Sequence, residues 1–361
     1  MISLLTVALI TAPVDAAAAA QSASVPYREV EVSIPVPTGH TLSGTLTLPA
    51  VSHQVSAVVL ISGSGAQDRD EAIPGVPGYR PFAAIADHLA RRGVAVLRYD
   101  DRGTAKSTGN HTTATTADFA DDAEAAWRLL RRRREIAWSR VGLFGHSEGG
   151  LIAAMVAARN RHVAFVVSMA GPGAPGFDLL ITQNERILRA MGLDADVMRQ
   201  ATAQTRTTLE LIRAEQWERL RVILLETARR QIAALPEQER ANLPPLERLV
   251  DERMAFYRTW MRFFLTYDPA EDWSRVRVPV LALFGVLDVQ VDLWQNRAGM
   301  LAALERAGNG DVTVAVFPRA NHLFQQATTG SVTEYTSLSP AFVPRFLETI
   351  SAWILARGGC P

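Results

Sequence analysis

The sequence predicts an α/β fold: a mostly parallel central sheet with helices on both faces, interrupted by a block of helices. Three observations predict it. Short apolar runs alternate with amphipathic helical stretches through the first half of the chain. About a hundred residues of helical pattern, 177–267, then separate two such runs before the alternation resumes. At the end of one run stands Gly145-His146-Ser147-Glu148-Gly149-Gly150, which fits G-x-S-x-G in a strand–turn–helix setting.

Taken in order, Tyr27–Val36 and Thr41–Leu48 alternate apolar and polar residues about Thr38-Gly39 and read as an antiparallel hairpin. Val55–Ser62 is a fully apolar strand, Phe82–Arg92 a helix ending at Gly93, and Val94–Tyr99 the next strand. Phe119–Arg134 reads as a helix, Val141–Phe144 as a buried strand, Leu151–Ala158 as a helix close to the sheet, and Val163–Met169 as a further strand. The insertion carries helical stretches Phe177–Gly192, Asp194–Leu235 and Pro245–Tyr267. Val278–Phe284 and Val312–Phe317 complete the sheet, and Ser339–Arg357 reads as a final helix. The expected organisation is a leader over 1–20, a core over 21–176 and 268–361, and a helical cap over 177–267, placed to cover the carboxyl ends of the strands where open α/β folds bind ligands.

The composition narrows the function classes. The chain has 361 residues and a formal net charge of +0, with no basic surplus that would suggest nucleic acid. Lys106 is the sole lysine, so the positive charge is almost all arginine; Arg131-Arg132-Arg133-Arg134 reads as a solvated helix end. The single cysteine, Cys360, allows no intramolecular disulfide and no thiolate metal site. The apolar Ile2–Ile10 followed by Ala16-Ala17-Ala18-Ala19-Ala20 resembles a secretory signal, although no Lys or Arg precedes Arg28 and Asp15 lies near the cleavage zone. The expectation is a secreted or periplasmic protein, with a cytoplasmic one as the alternative, and no stable membrane span.

The chemistry follows from Ser147. On a sharp strand-to-helix turn its Oγ is exposed, and the N–H of Glu148 faces a reacting carbonyl oxygen. A plain glycine-rich β–α turn is the bland alternative. Of seven histidines, only His322 sits in a short loop after a late strand, following Phe317-Pro318-Arg319-Ala320-Asn321. His146 adjoins Ser147, but neighbouring side chains on a tight turn diverge. The acid follows Val278–Phe284 in Gly285-Val286-Leu287-Asp288-Val289-Gln290-Val291-Asp292; Asp288 is preferred and Asp292 is the competitor. A second oxyanion donor is expected from Ser62-Gly63-Ser64-Gly65-Ala66, with the N–H of Ser64 pointing into the site. A phosphate loop is the weaker reading of that stretch, because no G-K-[ST] follows it.

Four segments together carry a resemblance: Ser62-Gly63-Ser64-Gly65-Ala66-Gln67-Asp68-Arg69-Asp70-Glu71, Leu97-Arg98-Tyr99-Asp100-Asp101-Arg102-Gly103, Gly145–Gly150 and Asn321-His322-Leu323-Phe324. The chain resembles bacterial α/β-hydrolases of the esterase and serine-aminopeptidase-like branch. Relatives commonly have His-Gly where Ser62-Gly63 stands, and R-G-x-G-x-S where Ala105 replaces the second glycine. The resemblance implies the α/β-hydrolase fold, a helical cap and hydrolysis of carboxylic esters, often of short acyl chains. It also places Asp100-Asp101-Arg102 and Asp68-Arg69-Asp70 in loops beside the site. There, arginine–carboxylate pairs would brace the loops, unless Arg69 or Arg102 holds a substrate carboxylate. Glu148 would either favour a cationic substrate group or pair with an arginine.

The expectation is a serine hydrolase with catalytic Ser147, Asp288 and His322, oxyanion donors at Ser64 and Glu148, a small-molecule ester as substrate, and no need of a metal or organic cofactor. An aminopeptidase or amidase, or an acyltransferase, would use the same triad. A non-catalytic binding protein on this fold is the reading furthest from the residues.

Overall fold

The computed structural model describes residues 25–358. Its single sheet has eight strands in the order β1-β2-β4-β3-β5-β6-β7-β8. β1 (Tyr27–Pro35) and β2 (Thr41–Pro49) form the antiparallel hairpin, and β2 continues antiparallel onto β4 (Ala95–Tyr99). From β4 onward all neighbours are parallel: β3 (Val55–Ile61), β5 (Ile136–His146), β6 (Val166–Met169), β7 (Val280–Gly285) and β8 (Val312–Phe317).

The period-two alternation of a strand decides which layer each residue joins. In β3, Ala57, Val59 and Ile61 pack on one face with α2 (Thr116–Arg131), α3 (Glu148–Arg159) and α11 (Leu293–Arg306); Val58 and Leu60 pack on the other with α1 (Pro81–Ala90) and α12 (Phe346–Gly358). Both faces are covered, which is why β3 is apolar throughout. α2 begins at a capping box: the Thr115 side chain accepts from Asp118 N–H and the Asp118 carboxylate accepts from Thr115 N–H. That cap starts the helix three residues before Phe119. The last helix starts at Phe346 instead of Ser339, because Pro340 and Pro344 disfavour helical geometry in the residues before them. β5 begins at Ile136, well before Val141; its first half exposes Trp138 and hides the apolar pattern.

Between β6 and β7 lie α4 (Gly176–Ala190), α5 (Ala195–Arg213), α6 (Trp217–Ala233), α7 (Glu237–Ala241) and α8 (Leu246–Phe256). α8 runs through a π-helical turn (Tyr257–Met261) into α9 (Arg262–Thr266), and the short α10 (Ala270–Trp273) leads back to the sheet. The expected stretch Asp194–Leu235 is thus two helices, broken where Glu215 takes φ 53°. These helices form their own apolar cluster, with Ile181, Leu209, Ile212, Leu220, Leu224 and Met254 buried together.

The strand order reverses between β3 and β5: β4 lies on one side of β3, and β6 to β8 extend beyond β5. In open α/β sheets a ligand crevice opens at the carboxyl ends on either side of such a point. Gly63 and Ser64 follow β3, Ser147 follows β5, Asp288 follows β7 and His322 follows β8. The leader expected over 1–20 and Cys360 lie outside the described residues. Among the described residues, no helix is long and apolar enough to cross a membrane.

Candidate active site

Ser147 sits between β5 and α3 with φ 53° and ψ −122°, a region that L residues enter only at a cost of about 1–3 kcal/mol. Close packing enforces this turn. A Cβ on Gly145 would lie 1.8 Å from the Gly149 carbonyl oxygen, and one on Gly149 would lie 2.1 Å from the Ile61 oxygen. The Ser147 N–H donates to Met169 O at 2.8 Å, which ties the elbow to β6. Glu148 is the first residue of α3, so its N–H has no partner within the helix.

His322 and Asp288, 34 residues apart, meet at 2.9 Å between Nδ1 and Oδ2, and both are buried. The other carboxylate oxygen, Oδ1, accepts the N–H groups of Gln290 and Val291 at 2.8 Å each. Asp288 is therefore fixed by its own loop before it meets the imidazole, whose Nε2 is left for another partner. Asp292 does something else. It caps α11 by accepting from Gln295 N–H at 2.8 Å and pairs with Arg186 of α4.

Ser147, His322, Ser64 and Glu148 line one cavity of about 410 Å³. No hydrogen bond joins Ser147 Oγ to His322 among the described residues; such contacts are often loose before substrate enters. The opposite wall comes from the insertion: Leu179 and Leu180 of α4, then Phe256, Tyr257, Trp260, Met261 and Phe264. The Phe256, Trp260 and Phe264 rings stack in sequence, with centroids 5.2 and 5.0 Å apart. Phe263 turns away and stacks on Tyr267 at 5.6 Å against the core. The aromatic stripe is therefore divided between cavity wall and packing face.

Among the described residues, Glu148 pairs with no arginine. Its Oε1 accepts from Thr116 Oγ1 at 2.6 Å and from Trp260 Nε1 at 2.7 Å, and the carboxyl is buried. Burial raises its pKa, opposed by hydrogen bonds from Thr116, Trp260 and Ser64. Arg69 and Arg102 are likewise engaged. Arg69 binds Asp100 through Nε at 3.1 Å and Nη2 at 2.8 Å, and Arg102 binds Asp122 through Nε at 2.6 Å. Asp101 holds the turn after β3 by accepting from Ser62 Oγ at 2.8 Å and Gln67 N–H at 2.9 Å. These pairs brace the loops and leave neither arginine for a substrate.

One pair went unforeseen. Glu71, near the turn after β3, accepts at Oε1 from Gly63 N–H at 2.7 Å and lies 2.8 Å from His146 Nδ1; His146 Nε2 reaches His322 O at 3.1 Å. The only sequence signal was a histidine and a glutamate, each inside a segment already singled out.

The chain is similar to known hydrolases in sequence and in fold. The family model described as "Serine aminopeptidase, S33" matches residues 78–326. Esterase EstD of Thermotoga maritima is 27% identical over 320 residues, covering 87% of this chain, which spans 65% of that relative's length. Among solved structures, the Pyrococcus furiosus esterase Pf2001 superposes with TM-score 0.55 at 15% identity, covering 92% of this chain and 91% of its own. An acetyl xylan esterase from Paenibacillus sp. R4 does so with TM-score 0.52 at 14% identity, covering 94% and 86%. At these identities the structural likeness establishes the α/β-hydrolase fold.

Proposed function

We propose that this chain, which belongs to the serine aminopeptidase S33 family, is a serine hydrolase that cleaves carboxylic esters of small molecules. The observation that carries the reading is the His322–Asp288 bond of 2.9 Å in a cavity shared with Ser147 on its strained turn. In this reading Ser147 Oγ attacks the acyl carbon while His322 Nε2 takes its proton. Asp288 holds Nδ1–H and stabilises the imidazolium. The N–H groups of Glu148 and Ser64 receive the oxyanion. His322 then protonates the departing alkoxide, leaving an acyl-serine. Water, deprotonated by the same nitrogen, attacks that acyl carbon; His322 returns the proton to Ser147 as the acid departs.

Ester hydrolysis is favoured over aminopeptidase action by the state of the lining carboxylates. An ammonium-bearing substrate needs an exposed acid, and both acids that line the cavity are buried and already accept at Oε1: Glu71 beside His146 and Gly63, Glu148 from Thr116 and Trp260. The wall formed by α4, α8, the π turn and α9 is mostly apolar, with Gln183 and Arg253 as its polar members, and suits an acyl chain, so the helical insertion acts as the cap that sets substrate choice. An alcohol in place of water would turn the same acyl-enzyme to acyl transfer. A panel of aryl esters, acyl amides and aminoacyl anilides, with fluorophosphonate labelling of Ser147, tests the reading. Esters should be turned over fastest; faster turnover of the anilides would replace it with peptidase action, and absence of labelling would remove Ser147 as nucleophile.

A further inference from the structure

We propose that Glu71 is a positioning residue: through a doubly protonated His146 it holds the loop of the catalytic imidazole and the oxyanion turn in one fixed relation. The inference rests on the roles given above to His322 and to the turn after β3.

The argument is one of donors and acceptors. His146 Nε2 faces the carbonyl oxygen of His322 at 3.1 Å, which can only accept, so this nitrogen carries a proton. Nδ1 faces Glu71 Oε1 at 2.8 Å, and that oxygen also accepts the Gly63 N–H at 2.7 Å. Beside an ionised Glu71, a neutral imidazole with its one N–H cannot donate to both acceptors, whereas an imidazolium donates to both. The oxygen that binds His146 is the same oxygen that binds Gly63, so this atom and the His146 ring at the end of β5 together link the turn after β3 to the loop after β8. The His146 and His322 rings also lie against each other, with centroids 4.9 Å apart.

Around this pair stand Asp288 from the loop after β7, Asp101 from the loop after β4, and the phenol of Tyr79, whose pKa burial pushes well above the usual range and which is therefore neutral. Burial opposes a charge on His146, and the Glu71 carboxylate, the His322 carbonyl and Asp288 together outweigh it, so the pKa is raised. The proton on Nδ1 is thus held more tightly than on a free imidazole.

Glu71→Gln keeps the shape of the side chain and removes its charge. Burial is then opposed only by the His322 carbonyl and Asp288, the His146 pKa falls, and at least one of the two links weakens whichever way the amide turns. The expected result is a kcat lowered roughly 10- to 100-fold, of the order of losing a site donor, with KM nearly unchanged. The alkaline limb of the kcat–pH profile should move to lower pH. A lowered kcat with an unmoved alkaline limb would make Glu71 a merely structural group, and a kcat within about twofold of the parent enzyme would remove the role altogether.

Nitrogen-15 NMR of histidine-labelled protein, with His146 assigned through His146→Gln, reads the pair without any turnover. Both ring nitrogens should be protonated between about pH 6 and pH 8. A neutral-imidazole pattern there overturns the proposal even if esterase activity is confirmed. An imidazolium pattern with no esterase activity would keep the pair and discard the reaction assigned to the site.

Discussion

The indole N–H of Trp260 donates to Glu148 Oε1 at 2.7 Å, one residue beyond Ser147. The bond joins the π-helical turn of the insertion to the first turn of α3. It explains why an acid stands beside a serine elbow without any arginine to meet it. Single π turns inside α-helices frequently mark functional positions. Here the turn aligns the stacked rings of Phe256, Trp260 and Phe264 along the cavity.

Substitution of this wall should change acyl preference. Trp260→Ala or Phe256→Ala should shift the ratio of kcat/KM between short and longer acyl esters by roughly 10-fold or more, since each methylene of fit is worth about 1–3 kcal/mol. Phe263→Ala, which faces Tyr267, should lower thermal stability and leave that ratio in place. Rates across an acyl series and a melting curve for each variant separate the two effects.

Ser147→Ala should abolish fluorophosphonate labelling and lower kcat by about 10⁴-fold or more, with the fold retained. Activity above about a tenth of the parent value would transfer the nucleophile's role elsewhere.

Asp288→Asn should lower kcat by about 10⁴-fold, because an amide at that position supports the wrong tautomer of His322. Asp292→Asn should spare turnover and cost at most about 1 kcal/mol of stability, because asparagine caps α11 as well as aspartate does and only the partly exposed pair with Arg186 is lost. Parallel kinetics and chemical denaturation test the contrast; the reverse ranking would make Asp292 the acid.

The buried carboxyl of Glu148 gives a pH dependence of known sign. Its folded pKa is raised, so the folded state binds this proton more tightly than the unfolded chain does. Its contribution to stability is present below the unfolded pKa and is lost as pH rises through the folded one. Glu148→Gln keeps an acceptor for Trp260 and Thr116 and carries no charge. It should therefore gain stability relative to the parent at neutral and alkaline pH, and the gain should vanish in acid. Melting temperatures of both proteins across the pH range check this; a variant uniformly less stable at all pH values would show that the carboxylate's hydrogen bonds outweigh its burial.

The order of strands and helices was readable because burial on two faces imposes continuous apolar runs on β3, β6 and β7, and because the elbow's glycines have no substitute at contacts of 1.8 and 2.1 Å. What proved unreadable was locally ambiguous. The exposed first half of β5 carries no apolar pattern, and Phe256, Trp260 and Phe263 look alike in a helical stripe until packing assigns each a side.

The sequence by itself determined the α/β architecture, the serine on its turn, and the two loops that supply Asp288 and His322, because each depends on neighbours only a few residues away. Only the tertiary structure paired His322 with Asp288 and Arg186 with Asp292, engaged Glu148 with Trp260, and brought Glu71 to His146 across 75 residues of chain. These are pairings of side chains from separate loops at the ends of different strands. Their identity depends on the sheet's strand order and on which donors remain free at its edge, and no local spacing encodes either.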